Sequence, residues 1–424
     1  MAERSTHHHG STSRRPLFFV FSILTIAFVF LWFSFLDSTG RPRFIDHSSI
    51  PFSSSLSRTK NQESAFGGGI PRNREGGDSS KCDPGRAVLK VFLYDLHRTR
   101  PGLPGGLNLQ HSIEYWLTLD LLSSASSDRR GPCAAVRVED SREADVVFVP
   151  FFSSLSYNRH SKVSPPEKVS KNKLLQDKLV EFMTAQKEWK RSGGRDHIIV
   201  AHHPNSMLDS RSKLFPCMFI LADFGRYPPS VANVDKDVVA PYKHVVKTFA
   251  NDSSGFDDRP TLLYFQGAIY RKDGGFIRQE LFYLLKDEKD VHFSFGTASG
   301  DGIRRAGDGM RSSKFCLNIA GDTPSSNRLF DAIASHCIPV VVSDEIELPY
   351  EDVLDYSEFC EHHPRGVDRM WLRLKQVEGL FEYQYPSMEN DAVQMIWRAV
   401  ARKVPAIRRK LHRSRRFSRF EVDR

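Results

Sequence analysis

The chain has 424 residues, 40% hydrophobic, 26% charged and 11% aromatic: long enough for two ordinary domains, too large for a minimal binding module, and too apolar for a disordered or collagen-like polymer. The formal charge of +9 sits at one end, because residues 398–424 carry 11 Lys/Arg against 2 Asp/Glu. A neutral body therefore ends in a basic tail.

At the amino terminus, Leu17 to Leu36 is a run of twenty residues without a charge. At a helical rise of about 1.5 Å per residue it spans a hydrocarbon core of about 30 Å. Arg4, Arg14 and Arg15 precede it, whereas Asp37, Arg41, Arg43 and Asp46 follow, so the positive-inside bias orients the amino terminus to the cytosol. A cleaved signal peptide is the other reading, but the run is longer than an h-region and ends in Trp32, Phe33 and Phe35 rather than small residues. The expectation is a cytosolic tail (1–16), a transmembrane anchor (17–36) and a flexible Ser/Gly/Arg-rich stem (37–85), with the body in the lumen. An only just sufficient span suits the thinner membranes of the early secretory pathway, hence a single-pass type II protein of the Golgi.

All six cysteines lie beyond the anchor, where an oxidising compartment favours disulfides. They show no CxxC spacing or His/Cys cluster, so a structural zinc site is not expected. Asn251-Asp252-Ser253 is an N-glycosylation acceptor triplet, expected on a surface loop.

After the stem, near-continuous apolar runs at Val88–Tyr94, Ala144–Phe152, His197–Ala201 and Met218–Ala222 read as strands covered on both faces. Between them, 171–189 reads as one crossover helix. A second series starts near Val238-Val239, with strands at Leu262–Phe265, Val291–Phe295, Phe315–Ile319 and Ile338–Val342 and helices at 276–286, 327–335 and 391–404. This predicts an α/β protein of two Rossmann-like halves, an acceptor-side domain (86–235) and a nucleotide-sugar domain (236–404), followed by the basic tail (405–424). Ligands of such folds bind at strand carboxyl ends, so the cleft between the halves is the expected site.

The densest chemistry lies in Ser312–Cys360. A strand runs into the turn Gly321-Asp322-Thr323-Pro324, and Ser325 or Ser326 is expected to cap a helix from Asn327. Arg328 offers a planar fork suited to phosphate oxygens, and Asp331, one turn on, could accept ribose hydroxyls. Taken alone, Arg328 and Asp331 read equally as a surface ion pair.

The wider string resembles the exostosin-type glycosyltransferases (family GT47) at Phe315-Cys316-Leu317, Gly321-Asp322, Ser326-Asn327-Arg328, Asp331 and Cys337-Ile338-Pro339-Val340. The resemblance extends over about residues 86–400 through Lys90–Leu96, Ala144–Phe152, Arg195-Asp196-His197, His202-His203 and Tyr264–Arg278. It is nearest the plant branch similar to arabinan arabinosyltransferases. It implies a two-domain GT-B fold, a UDP-sugar co-substrate, a plant cell-wall polysaccharide acceptor such as pectic arabinan, and inversion at the anomeric carbon. Carried over, Ser326 and Arg328 hold the donor diphosphate, Asp331 the ribose, and Arg271 or Arg278 assists with phosphate charge. Such fixed cations stabilise the departing nucleoside diphosphate without requiring a divalent metal. Asp235-Lys236-Asp237 has the Asp-x-Asp form of a cation site, but reads as a solvated linker cluster.

Inversion needs a base for the acceptor hydroxyl. His203, at the carboxyl end of the strand His197–Ala201, is the expected catalytic base, although His203-Pro204 stands where relatives have His-Asp; His202, Asp223 and Glu114 are the alternatives. The tail Arg408–Arg419 has the composition of a nucleic-acid-binding run, but a lumenal location makes anionic pectin the expected counter-charge rather than nucleic acid. The sugar is expected to be arabinose, with UDP-xylose, UDP-galactose or UDP-glucuronate on hemicellulose as other donors. A non-catalytic subunit in an oligomer with other glycosyltransferases is the reading from a different class.

Overall fold

The computed structural model describes residues 85, 87–96, 109–126, 129, 131–249, 252–271, 275–297, 299–360 and 366–422. The anchor run Leu17–Leu36, the stem through residue 84 and Asn251 lie outside them. Among the described residues no helix is long and apolar enough to cross a membrane.

Six parallel strands form the first sheet: β1 (Leu89–Leu93), β2 (Ala135–Val138), β3 (Val146–Val149), β4 (His197–Val200), β5 (Met218–Leu221) and β6 (Val238–Val239), in the order β2-β1-β3-β4-β5-β6. Every residue of β3, β4 and β5 is buried. The reason is the period of two: Val146, Phe148, Ile198 and Val200 enter one core with Leu117 and Leu121, while Val147, Val149, Ile199 and Phe219 enter the other with Leu179 and Met183. Leu117 and Leu121 belong to α1 (Ile113–Ser124); α2 (Ser153–His160), α3 (Lys171–Ala185) and α4 (Lys187–Ser192) complete the covering helices.

Two sequence expectations are corrected here. The single helix over 171–189 is broken at Gln186, whose ψ of 150° is extended, so α3 and α4 are separate. Val238-Val239 belongs to the first sheet, pairing with Ile220 and Leu221 of β5. The first lobe thus runs to residue 239, past the expected boundary at 235, because the two valines complete a parallel edge.

The second sheet has β7 (Thr261–Gly267), β8 (Val291–Phe295), β9 (Ser313–Ile319) and β10 (Ile338–Val342) in the order β10-β9-β7-β8, again all parallel. Helices α5 (Phe276–Leu285), α6 (Gly300–Arg311) and α7 (Arg328–Ala334) connect them, followed by α8 (Val367–Val377). A disulfide between Cys316 and Cys337 joins β9 to the residue before β10, at a Cα separation of 5.7 Å. Cys133 is also disulfide-bonded, whereas Cys217 and Cys360 are buried thiols.

The last helix, α9 (Ala392–Val422), is one element through Pro405. The expected division into a helix ending at 404 and a separate tail is therefore corrected. The helix returns to the first lobe, packing against α1, β1, β2 and β6. The fully buried Trp397 meets Phe148 edge-on at 5.7 Å and donates its indole N–H to Asp120 at 3.0 Å. Gln394 accepts the Ala134 N–H at 2.6 Å, and Arg408 pairs with Asp145. Two parallel-sheet lobes and a strap returning to the first are consistent with a Rossmann-like GT-B architecture.

Candidate active site

A cleft of about 650 Å³ lies at the strand carboxyl ends, lined from both lobes. His203, Arg271, Arg278, Ser326, Arg328 and Asp331, singled out from sequence, all line it.

The second-lobe wall is built around Arg328. Its Nε donates to the Gln266 carbonyl at 3.1 Å, its Nη1 donates to Ser326 Oγ at 3.1 Å, and its plane lies 4.9 Å from the Phe265 ring centroid. Gly267 makes this possible: a Cβ there would lie 2.0 Å from Nη2. Burial brings the guanidinium down to about 10, with Asp331 opposing and Arg271 adding to the fall. Asn327, rather than the expected Ser325 or Ser326, holds the cap position of α7; Ser326 Oγ accepts the Arg328 N–H at 3.4 Å, and the Ser325 hydroxyl donates to Asp223 of the first lobe at 2.6 Å.

Arg278 and Asp331 are more constrained than the sequence implies. Arg278 is fully buried, its guanidinium donating to the carbonyls of Ala320 at 2.8 Å, Ala268 at 3.1 Å and Ile319 at 2.7 Å. It clips the ends of β7 and β9 together, and its charge, brought to about 9 by burial and then by Arg328 and Arg271, lies behind the wall. Asp331 accepts the N–H groups of Val245 and Val246 at 2.7 and 3.3 Å on Oδ1 and the Asn327 amide at 2.7 Å on Oδ2. It anchors the segment that joins the lobes. Arg271 pairs with Asp322 at 3.1 Å at the cleft rim. In all, four guanidinium groups (Arg226, Arg271, Arg278, Arg328) line the cleft against two carboxylates (Asp322, Asp331).

The first-lobe wall carries imidazoles. His203 follows β4, flanked by Tyr157 at 4.5 Å and His111 at 4.7 Å, and burial lowers it to about 4. Its Nδ1 accepts the Asn205 N–H at 3.1 Å, so the neutral ring carries its proton on Nε2. That tautomer leaves Nε2 as a donor. Glu114 is buried, taking bonds from Ser153 and Ser154, and Asp223 accepts the Ser325 hydroxyl where the lobes meet; neither is among the residues that line the cleft. Arg195-Asp196-His197 lies at the opposite end of β4, where Asp196 and Tyr94 bond the His197 ring.

Sequence reading missed His111 and Tyr242. His111 ends a short 3-10 turn (Leu109–His111) just before α1, and its only sequence signal is a polar Gln110-His111-Ser112 step into an apolar helix. Its Nδ1 lies 3.0 Å from His202 Nδ1, and His202 Nε2 lies 3.2 Å from the Ala240 carbonyl. Tyr242 packs on both rings, and its hydroxyl reaches Ser325 Oγ at 3.3 Å. Asp235-Lys236-Asp237 is not a solvated cluster, since Asp237 is buried, accepting Phe219 N–H and Asn233 N–H, with Lys236 donating to it. None of the three lines the cleft.

Residues 79–362 match the Exostosin GT47 domain. The chain is 42% identical over 391 residues to the probable arabinosyltransferase ARAD1 of Arabidopsis thaliana, covering 82% of this chain and 86% of that protein. It is 26% identical over 399 residues to the probable glucuronoxylan glucuronosyltransferase F8H of Arabidopsis thaliana, covering 79% and 77%. A probable glucuronosyltransferase of Oryza sativa subsp. japonica is 24% identical over 380 residues, covering 78% and 84%. With a domain match over most of its length and a cationic cleft between two parallel-sheet lobes, the chain belongs to the exostosin GT47 family and is a glycosyltransferase.

Proposed function

We propose that the cleft binds a UDP-sugar and transfers arabinose, with inversion, to a plant cell-wall polysaccharide such as pectic arabinan. The observation that carries the donor reading is the charge imbalance of the cleft: four guanidinium groups against two carboxylates, with Arg278 brought down by burial first and then by repulsion from Arg328 and Arg271. A diphosphate relieves that repulsion. Its oxygens are assigned to Arg328, whose Nη2 faces the cleft beyond Gly267, and to Ser326, with Arg271 exchanging Asp322 for phosphate. Arg278 contributes charge and holds the strand ends. Asp331 Oδ2, which takes one bond from Asn327, keeps acceptor capacity for a ribose hydroxyl.

As the glycosidic bond to the donor breaks, charge grows on the leaving diphosphate. Donors fixed by Phe265, Gln266 and Ser326 need no reorganisation to meet it. The choice of arabinose rests on the relative at 42% identity, and glucuronate is the second donor because relatives at 24–26% are named for it. The anchor Leu17–Leu36, a type II orientation and a Golgi-lumenal body are part of the proposal, supported by the uncharged run and by a disulfide suited to an oxidising compartment.

The test is the full chain in detergent, incubated with UDP-arabinose, UDP-xylose, UDP-galactose and UDP-glucuronate and with arabinan or xylan oligosaccharides. Transfer from UDP-arabinose to arabinan, lost in Arg328→Ala together with UDP binding, is the expected result. Transfer only from UDP-glucuronate would replace the sugar, and UDP binding unchanged in Arg328→Ala would overturn the donor site.

A further inference from the structure

We infer that His111 is the catalytic base that takes the acceptor hydroxyl proton, and that His202 is a positioning residue that fixes which ring nitrogen of His111 does so. This rests on the donor reading above.

The argument is a chain of hydrogen-bond directions. A carbonyl oxygen only accepts, so the 3.2 Å contact between His202 Nε2 and the Ala240 carbonyl places a proton on Nε2. His202 is wholly buried, and burial brings it to about 3, so the ring is neutral and Nδ1 holds a lone pair. That lone pair faces His111 Nδ1 at 3.0 Å, and two lone pairs cannot meet there, so His111 Nδ1 carries the proton. His111 is neutral as well, burial and then its neighbours His202 and His203 holding it well below the usual histidine range. Its remaining nitrogen, Nε2, is therefore an unprotonated acceptor. The ring is held by Tyr242 at 5.2 Å and His203 at 4.7 Å, and the residue lines the cleft whose far wall is Arg328. His203 ends with the opposite tautomer because Asn205 occupies its Nδ1.

In the transfer step the acceptor O–H proton moves to His111 Nε2 while the oxygen's electron pair forms the bond to the anomeric carbon. The electron pair of the bond to the diphosphate leaves with the nucleoside diphosphate. The imidazolium so formed keeps its Nδ1–H bond to His202 and later releases the Nε2 proton to solvent. The titratable groups in contact with His111 are His202 and His203 after β4 and Tyr242 at the lobe junction. The arriving diphosphate adds negative charge to this set and raises the basicity of Nε2 when it is needed.

The experiment uses the full chain with UDP-arabinose and arabinan oligosaccharide, with UDP calorimetry in parallel. His111→Gln should lose about 100-fold or more in kcat while UDP affinity stays within about threefold, and His111→Gly should regain part of the rate with added imidazole. The wild-type kcat/KM should hold as pH falls through 6.5 and decline only below it, and this acid limb should vanish in His111→Gln. His202→Leu should lower kcat without changing UDP affinity. Nitrogen chemical shifts of labelled histidines should report His111 as the Nδ1–H form. An Nε2–H form at His111, or a His111→Gln enzyme with near wild-type kcat and an intact acid limb, would overturn the assignment. Failure of the donor reading has its own mark, UDP affinity unchanged in Arg328→Ala.

Discussion

Two residues, Gly267 and Glu382, show how a single position sets binding in the cleft and stability outside it. Gly267 matters for what it lacks, since any Cβ would occupy the place of Arg328 Nη2. Because the clash is with the mobile end of a side chain, Gly267→Ala should fold with little loss of stability while the guanidinium swings off Gln266. UDP affinity should drop about tenfold, the loss of one well-placed charged hydrogen bond, as read by calorimetry. Glu382 is the counterpart in stability. Burial works to raise its carboxyl, but bonds from His244 at 2.8 Å, Lys243 at 3.1 Å and Thr248 at 2.8 Å reverse this and bring it from 4.5 to about 2. A depressed carboxyl stabilises the fold above its unfolded value and loses that contribution as pH falls through the folded one. Glu382→Gln should therefore cost about 2 kcal/mol at pH 7 in urea unfolding. The gap to wild type should close as pH falls from 4.5 towards 2.

Among the elements, α9 has the largest structural role relative to its sequence signal. Val404 and Ile407, beyond or at the expected end of the helix, are buried, and Leu411 packs on the same core. Deleting residues 405–424 removes part of a strap, not only charge. That truncation should cost about 2–4 kcal/mol through the loss of Ile407 and Leu411, whereas deletion from residue 413 should leave the denaturation midpoint nearly unchanged. The shorter deletion is therefore the one that tests whether the basic end binds pectin: unchanged binding to polygalacturonate would remove that role, and weakened binding with intact stability would support it.

At the scale of the whole molecule, the lobes meet where Asp223 and Gly225 of the first face Pro324 and Ser325 of the second. The Ser325 hydroxyl reaches Asp223 at 2.6 Å, and a Cβ on Gly225 would lie 2.5 Å from Pro324 Cδ. This contact sets the cleft width and thereby the separation of the imidazole wall from the cationic wall. Gly225→Val should prop the lobes apart and lower kcat/KM about tenfold or more, with the urea midpoint little changed, since misplacement of reacting groups by about 1 Å costs up to about 100-fold. Wild-type kcat/KM in that variant would show that the contact does not set the working distance.

The parallel strands were legible because both faces are covered, so Val146–Val149, His197–Val200 and Met218–Leu221 are continuous apolar runs. Arg328, Ser326 and Asp331 were legible because the turn that carries them is local and its residue string specific. Less legible were elements whose signal is not their own: α6, rich in glycine, β6, two residues completed only by pairing with β5, and α9, whose buried face beyond Pro405 follows from the first lobe. What the sequence alone determined was the class of fold and the turn that carries Arg328 to the cleft, since periodicity and local motifs are short-range properties. Only the tertiary structure decided that Arg278 donates to three backbone carbonyls, that Asp331 accepts from the backbone of Val245 and Val246 and from the Asn327 amide, and which ring nitrogen of His111 keeps a lone pair. A tautomer is set by the partner on the far side of the ring, and for His111 that partner, His202, is 91 residues away along the chain.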